Sequence, residues 1–137
     1  MNKLDSLREM SVVVADTGDM GSIQAFKPTD STTNPTLILK ASQMEAYKDL
    51  VDEAISWGKK AGAKPGQVTD RLAVNFGAAL TKIVPGRVST EVDADLSFDT
   101  EATLAKARSL IKAYEERGVG RERILIKIAS TWEGIQA

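Results

Sequence analysis

The feature that most constrains the fold is an alternation of short strand-like segments with helical segments. The strand-like segments are rich in β-branched residues or alternate in polarity, and apolar residues recur at helical spacing between them. This alternation is typical of right-handed βαβ units, which place parallel strands in one sheet. The sequence therefore predicts an α/β fold. The predicted strands are residues 11–16, 30–35, 87–93 and 124–129, and a polar turn is the alternative for residues 30–35.

Helices are predicted from apolar spacing, capping residues and the positions of proline and glycine. A short helix should precede the first strand, and another should end before Pro28. The segment Ser-Gln-Met-Glu at residues 42–45 fits a capping box and predicts that a helix opens there. The predicted helices are residues 3–9, 21–26, 44–60 and 68–83, and a last long one from Asp99 or Thr100 to Gly118 or Gly120.

Composition excludes several kinds of chemistry. The 137 residues include no cysteine and no histidine, which excludes disulfides, thiolate nucleophiles, histidine bases and the usual zinc ligands. The net charge of −1 offers no basic field for nucleic acid or an anionic membrane. The N-terminus has no signal-peptide pattern, and no apolar stretch reaches membrane-spanning length. We therefore expect a cytoplasmic protein whose chemistry uses lysine, arginine, carboxylates, hydroxyls or asparagine.

A lysine interrupts the most apolar of the predicted strands. In the segment Ile-Leu-Ile-Lys-Ile-Ala at 124–129, alternation puts Lys127 on one face with Leu125 and Ala129. If that face is enclosed, the ammonium loses hydration, and a neutral amine can attack carbonyl groups. Lys127 is thus a candidate Schiff-base nucleophile. An ion-paired lysine that reaches water from an edge strand is the alternative interpretation.

Polar side chains lie at or near the C-terminal ends of the other predicted strands. They are Asp16, Asn34, and Glu91 or Asp93. In parallel sheets and barrels, catalytic groups gather at this end of the strands. Imine chemistry needs carboxylates that move protons, so these residues could serve Lys127. A structural ion-pair network would use the same residue types.

Four motifs occur in order along the whole chain: VADTGD at 14–19, TTNP at 32–35, GRVSTEVD at 86–93 and ILIKIASTW at 124–132. Together they resemble the transaldolase family of the pentose phosphate pathway. The resemblance implies the first half of a TIM (β/α)8 barrel and a transferase that needs no metal or cofactor. It would move a dihydroxyacetone unit between sugar phosphates: fructose 6-phosphate, sedoheptulose 7-phosphate, erythrose 4-phosphate and glyceraldehyde 3-phosphate.

The resemblance also implies a role for each matching residue. Lys127 would form the Schiff base, and Asp16 would act on the substrate hydroxyl during carbon–carbon cleavage. Glu91 would move protons through a water as the imine forms and hydrolyses. Asn34 would bind substrate hydroxyls, with support from Thr33 and Ser89.

The length departs from the family pattern. A TIM barrel needs about 250 residues, whereas about four strands are predicted here. We therefore expect residues 1–137 to form one partial barrel domain, cut in the first turns of a last helix that a capping box at 130–133 opens. The family's phosphate-binding arginines and a catalytic threonine belong to its second half. None of Arg87, Arg121 or Arg123 matches those positions.

Several functions remain open from the sequence. The chain could be the N-terminal half of a transaldolase with low activity alone, or a half-barrel that pairs with itself or with another chain. It could also be a non-catalytic structural module, or another aldolase that forms a Schiff base with sugar phosphates. Four parallel strands leave two sheet edges with unpaired backbone groups and an apolar face in contact with water. Both features favour a homo-oligomer.

Overall fold

A computed structural model describes residues 2–137 and contains one parallel four-stranded sheet. The strands are β1 (Val14–Asp16), β2 (Asp30–Thr32), β3 (Val88–Glu91) and β4 (Ile124–Lys127), and they lie in this order across the sheet. Helices connect successive strands, so the chain consists of consecutive βα units. Sequential parallel strands joined by helices form the first half of a (β/α)8 barrel, as the sequence predicts.

The helices agree with the prediction except around residues 35–47. They are α1 (Lys3–Met10), α2 (Met20–Phe26), α3 (Pro35–Ser42), α4 (Lys48–Ala61), α5 (Pro65–Leu80), α6 (Thr100–Glu115) and α7 (Trp132–Gln136). Short 3₁₀ turns precede α4, α6 and β4. The last helix begins after Thr131, whose hydroxyl accepts a hydrogen bond from the Gly134 amide at 3.0 Å.

Helix α3 is absent from the sequence prediction, and the capping box predicted at 42–45 is wrong. The Ser42 hydroxyl donates to the Leu39 carbonyl at 2.8 Å, so it belongs to the end of α3 and does not open α4. Asn34 is the N-cap of α3 and Pro35 its first residue, which is a strong start signal for a helix. The polar segment 30–35 therefore contains a three-residue strand and then the start of a helix.

One face of the sheet packs against the helices and forms the main core. Val88 on β3 is fully buried, and Ile124 on β4 lies in the same cluster. Tyr114 of α6 is buried beneath β3, where its hydroxyl shares a hydrogen bond with Thr90. Burial raises the pKa of Tyr114 to about 12, so the phenol stays neutral.

The opposite face of the sheet is open. Val14 is 49% exposed and Leu125 is 43% exposed, although both are large apolar residues in strands. The register aligns Asp16 with Thr32, Thr32 with Ser89, and Ser89 with Leu125, so these side chains share the open face. In a closed barrel this face would be the interior. Within residues 2–137, no helix is long and apolar enough to cross a membrane.

Candidate functional site

Lys127 and Glu91 form an ion pair at the C-terminal ends of two adjacent strands. The register places the two residues side by side on β4 and β3, and Lys127 Nζ lies 2.8 Å from Glu91 Oε2. The same ammonium donates to the Thr33 carbonyl at 3.0 Å. A carboxylate of β3 and the carbonyl of the residue after β2 therefore hold the amine in one place on the open face.

The environment of Lys127 differs from the expected enclosed one. Its side chain is 40% exposed, and that of Glu91 is 29% exposed. The reason is geometric: in the described chain, helices cover only one side of the sheet, and Lys127 points to the other. A site that suits imine chemistry would need this face to be covered, because water competes for both partners of the pair.

Hydroxyl groups connect β2 to β3 beside the ion pair. The Thr33 hydroxyl donates to the Ser89 carbonyl at 2.9 Å, and the Thr33 amide donates to the same oxygen at 3.2 Å. The Ser89 hydroxyl donates to Thr32 Oγ1 at 2.6 Å. Thr33 and Ser89 are both buried. Their bonds fix the end of β2, and with it the Thr33 carbonyl that accepts from Lys127.

Asn34 combines a structural role with a position near the site. Its Oδ1 accepts a hydrogen bond from the Leu37 amide at 2.9 Å and so caps α3. The cap orients the side chain, because the acceptor oxygen is held by the helix. The two N–H donors on the other end of the carboxamide take no part in this cap.

Asp16 shares the open face but lies at the far edge of the sheet. It is the last residue of β1, it is exposed, and β2 and β3 separate it from β4. The register aligns it with Thr32, Ser89 and Leu125, so it faces the same side as Lys127. The structure thus brings Lys127 and Glu91 into contact, and Asp16 lies on the same face at the other edge of the sheet.

A second ion-pair cluster lies next to the site and was missed by sequence reasoning. Lys106 of α6 donates to Asp70 of α5 at 2.6 Å and lies 3.0 Å from Asp93, which follows β3. Burial opposes the charge of Lys106, but the hydrogen bonds to the two aspartates raise its pKa overall. Asp93 is therefore engaged by Lys106, and Glu91 is the carboxylate that pairs with Lys127. The partners come from three separate segments, so sequence spacing carries no signal of this cluster.

The fold is that of an α/β protein built from parallel βα units. Its lysine–carboxylate pair lies at the C-terminal ends of the strands, where barrel proteins carry their functional sites. The model of the transaldolase/fructose-6-phosphate aldolase family matches residues 13–137, nearly the whole chain. The chain belongs to this family.

Curated relatives show how much of a family member the chain represents. It is 61% identical to a transaldolase of Rhizobium etli over 140 residues, which cover 99% of this chain and 44% of that protein. It is 56% identical to transaldolase A of Escherichia coli K12 over 141 residues, covering all of this chain and 45% of the relative. The chain therefore spans less than half the length of the curated relatives it matches.

Proposed function

We propose that this chain carries the Schiff-base part of a transaldolase site, with Lys127 as the nucleophile. The observation that carries the proposal is the contact between Lys127 and Glu91 on the open face, with the Thr33 carbonyl as a second partner. An amine that attacks a carbonyl must first lose a proton, and a carboxylate at 2.8 Å is the nearest group that can accept it.

The proposed reaction begins with attack of the neutral Lys127 amine on the ketone carbon of a sugar phosphate. The carbonyl oxygen takes up a proton, and the resulting carbinolamine loses water to give an imine. Glu91 moves the proton that leaves the amine and returns it to the departing hydroxyl, directly or through a water. No metal or cofactor is required by this sequence of steps.

The remaining roles follow the family resemblance. Asp16 would accept the proton of the substrate hydroxyl as the carbon–carbon bond breaks, which releases an aldehyde and leaves a three-carbon unit on Lys127. Asn34 would bind a substrate hydroxyl, while Thr33 and Ser89 hold the strand ends. The substrates would be fructose 6-phosphate and the other sugar phosphates of the pentose phosphate pathway, in the cytoplasm.

We further propose that copies of this chain associate. The exposed apolar residues Val12, Val14 and Leu125 favour burial, and each edge of the sheet presents unpaired backbone groups. Pairing of β1 in one copy with β4 in another would use both edges. It would repeat the Lys127 site without adding cationic groups for the substrate phosphate, so we expect low turnover.

Reductive trapping tests the proposed chemistry. The chain is incubated with fructose 6-phosphate and sodium borohydride, which delivers hydride to the imine carbon and leaves a stable secondary amine. Intact-mass spectrometry and peptide mapping should locate one adduct on Lys127. A three-carbon adduct would indicate cleavage and a role for Asp16, and an intact hexose adduct would indicate imine formation alone.

The matched variants are Lys127→Met and Lys112→Met. The first should abolish the adduct, and the second, at an exposed position on α6, should leave it unchanged. Absence of any adduct, or adducts spread over surface lysines, would refute the catalytic proposal and favour a non-catalytic half-barrel.

A further inference from the structure

A cavity of about 140 Å³ lies behind the Lys127–Glu91 pair, between α3, α5 and the ends of β2 and β3. Its wall is mostly apolar and comes from three helices. The apolar lining residues are Pro35, Ile38, Leu39, Leu72, Ala73 and Leu110. This space lies in the helix layer and adjoins the proposed site, because Thr33, Asn34 and Glu91 also line it.

The size of the cavity suits a small apolar group. Engineered apolar cavities of about 150 Å³ accept benzene. Thr69 and Leu39 line the cavity and are exposed, so a ligand can enter past them from solvent. A benzene ring or a branched alkyl group of similar volume would fill the space and gain contacts with its walls.

The polar edge of the cavity is acidic. Asp70, Glu91 and Asp93 all line it. Two lysines pair with these three carboxylates, Lys106 with the aspartates and Lys127 with Glu91, which leaves one net negative charge. Each ionised carboxylate has about four acceptor positions, and these ion pairs use few of them. The edge therefore favours a ligand with N–H donors and a positive charge, and it repels phosphates and carboxylates.

We infer that this cavity binds a small apolar amine. The apolar group would fill the space beside Ala73, and the ammonium would donate to the carboxylates at the edge. This site borders the sugar-phosphate site proposed above and shares Thr33, Asn34 and Glu91 with it, but the amine would occupy the space between the helices. Because Glu91 belongs to both, an occupant would contact the carboxylate that holds Lys127.

Binding of three matched probes tests the chemistry of the ligand. Benzylamine, benzyl alcohol and benzoate are titrated into the ¹⁵N-labelled chain and followed by NMR. Benzylamine should shift amide signals of α3 and α5, and benzyl alcohol should bind about tenfold more weakly because it lacks the charge-assisted hydrogen bond. Benzoate should not bind. Equal binding of all three probes, or no binding of benzylamine, overturns the inference.

Variants then test the location. Ala73→Leu fills the cavity from α5, and Thr69→Leu covers its mouth from an exposed position. Each should weaken benzylamine binding at least about tenfold, whereas Ala105→Leu, on an exposed position of α6 outside the cavity, should not. If Ala73→Leu fails to fold, Thr69→Leu decides. Wild-type affinity in Thr69→Leu would place the ligand elsewhere and refute the site.

A separate variant tests the carboxylates at the edge of the cavity. Asp93→Asn removes one charge while keeping the shape of the side chain. It should weaken benzylamine binding several-fold and leave the binding of benzyl alcohol unchanged. The same loss for both probes would mean that the carboxylate only supports the fold, and it would contradict the assigned ammonium site.

Discussion

The two faces of the sheet come from the same four strands and have opposite physical characters. On the helix-facing side, Val88 is fully buried and Thr90 bonds to the buried Tyr114. On the open side, Leu125 is 43% exposed and Lys127 reaches the ion pair with Glu91. Alternation of side chains along a strand separates these two sets by single residues.

The comparison teaches that the packed core and the Lys127–Glu91 pair lie on different faces of one sheet. Apolar burial stabilises by about 25 cal/mol per Å², and the helix-facing side contains nearly all of the main core. The open side buries little apolar surface, so its residues contribute little to that core. Variants on the two sides should therefore differ in what they damage, and three predictions follow this difference from the largest effect to the smallest.

The largest effect is expected at Gly77, beneath the helix-facing side. A Cβ atom there would overlap the hydroxyl and ring of Tyr114. Gly77→Ala should destabilise the chain by about 2–3 kcal/mol, because a buried phenol cannot move without losing its bond to Thr90. Gly66→Ala is the control: it lies in the first turn of the same helix, and a Cβ there meets nothing within 4 Å.

Urea denaturation followed by circular dichroism measures both glycine variants. Gly66→Ala should be neutral or stabilising by up to about 0.5 kcal/mol, since alanine is the better helix former. If the two variants lose stability equally, the close approach of α5 to Tyr114 is not what requires glycine at position 77.

The second prediction compares the two faces directly. Val88→Ala should cost about 2 kcal/mol, from two lost methyl groups and the cavity they leave. In a monomer Leu125→Ala should cost less than about 1 kcal/mol, because its side chain is already half in water. If copies associate through the open face, as we propose, Leu125→Ala should instead approach the cost of Val88→Ala and should reduce the mass measured by light scattering.

A stable monomer at micromolar concentration would contradict the proposed association. In that case a small loss of unfolding free energy in Leu125→Ala would confirm that the open face is exposed to solvent. Val88→Ala and Leu125→Ala thus distinguish the two faces of the sheet whether the chain is a monomer or an oligomer.

The smallest effect concerns Glu53, a partly exposed residue of α4. Hydrogen bonds from Arg71, and a further one from Asn75, lower the pKa of Glu53 despite partial burial. A lowered pKa in the folded state adds stability above the unfolded pKa of about 4.3, and this is lost as the pH falls through the folded pKa. Glu53→Gln should therefore cost less than about 1 kcal/mol at pH 7 and almost nothing at the acid end.

Unfolding free energies measured at several pH values between neutral and acid test whether the effect of Glu53→Gln disappears as the pH falls. Glu45→Gln is the matched control, since Glu45 is highly exposed and lies 3.7 Å from Lys48. It should change stability little at any pH. If Glu53→Gln lowered the free energy of unfolding by the same amount at every pH, the charge of Glu53 would not account for the stability that its contact with Arg71 provides.

Much of the architecture could be predicted because it follows from local periodicity. The parallel βα order and the placement of Lys127 and Glu91 on one face depend only on strand alternation, and the structure shows both. Helix α3 was missed because Asn34 and Pro35 were assigned to a polar strand and not read as a start signal. The catalytic roles of Lys127, Glu91 and Asp16 remain predictions that the trapping experiment tests.

The features that could not be predicted depend on residues far apart in the chain. Lys106 lies in a helix where a lysine is ordinarily solvated, and its partner Asp70 is 36 residues away. The cavity behind Glu91 exists because three helices meet there, and no single segment contains its outline.

The sequence by itself determined the parallel βα order, the family, and which strand residues share a face, because these depend on periods of 2 and 3.6 residues and on short motifs. Only the tertiary structure decided which carboxylate meets Lys127, that Asp16 lies two strands beyond Glu91, and that the face carrying Lys127 is open. Those outcomes depend on strand order and on which surfaces the helices cover, and packing between distant segments sets both.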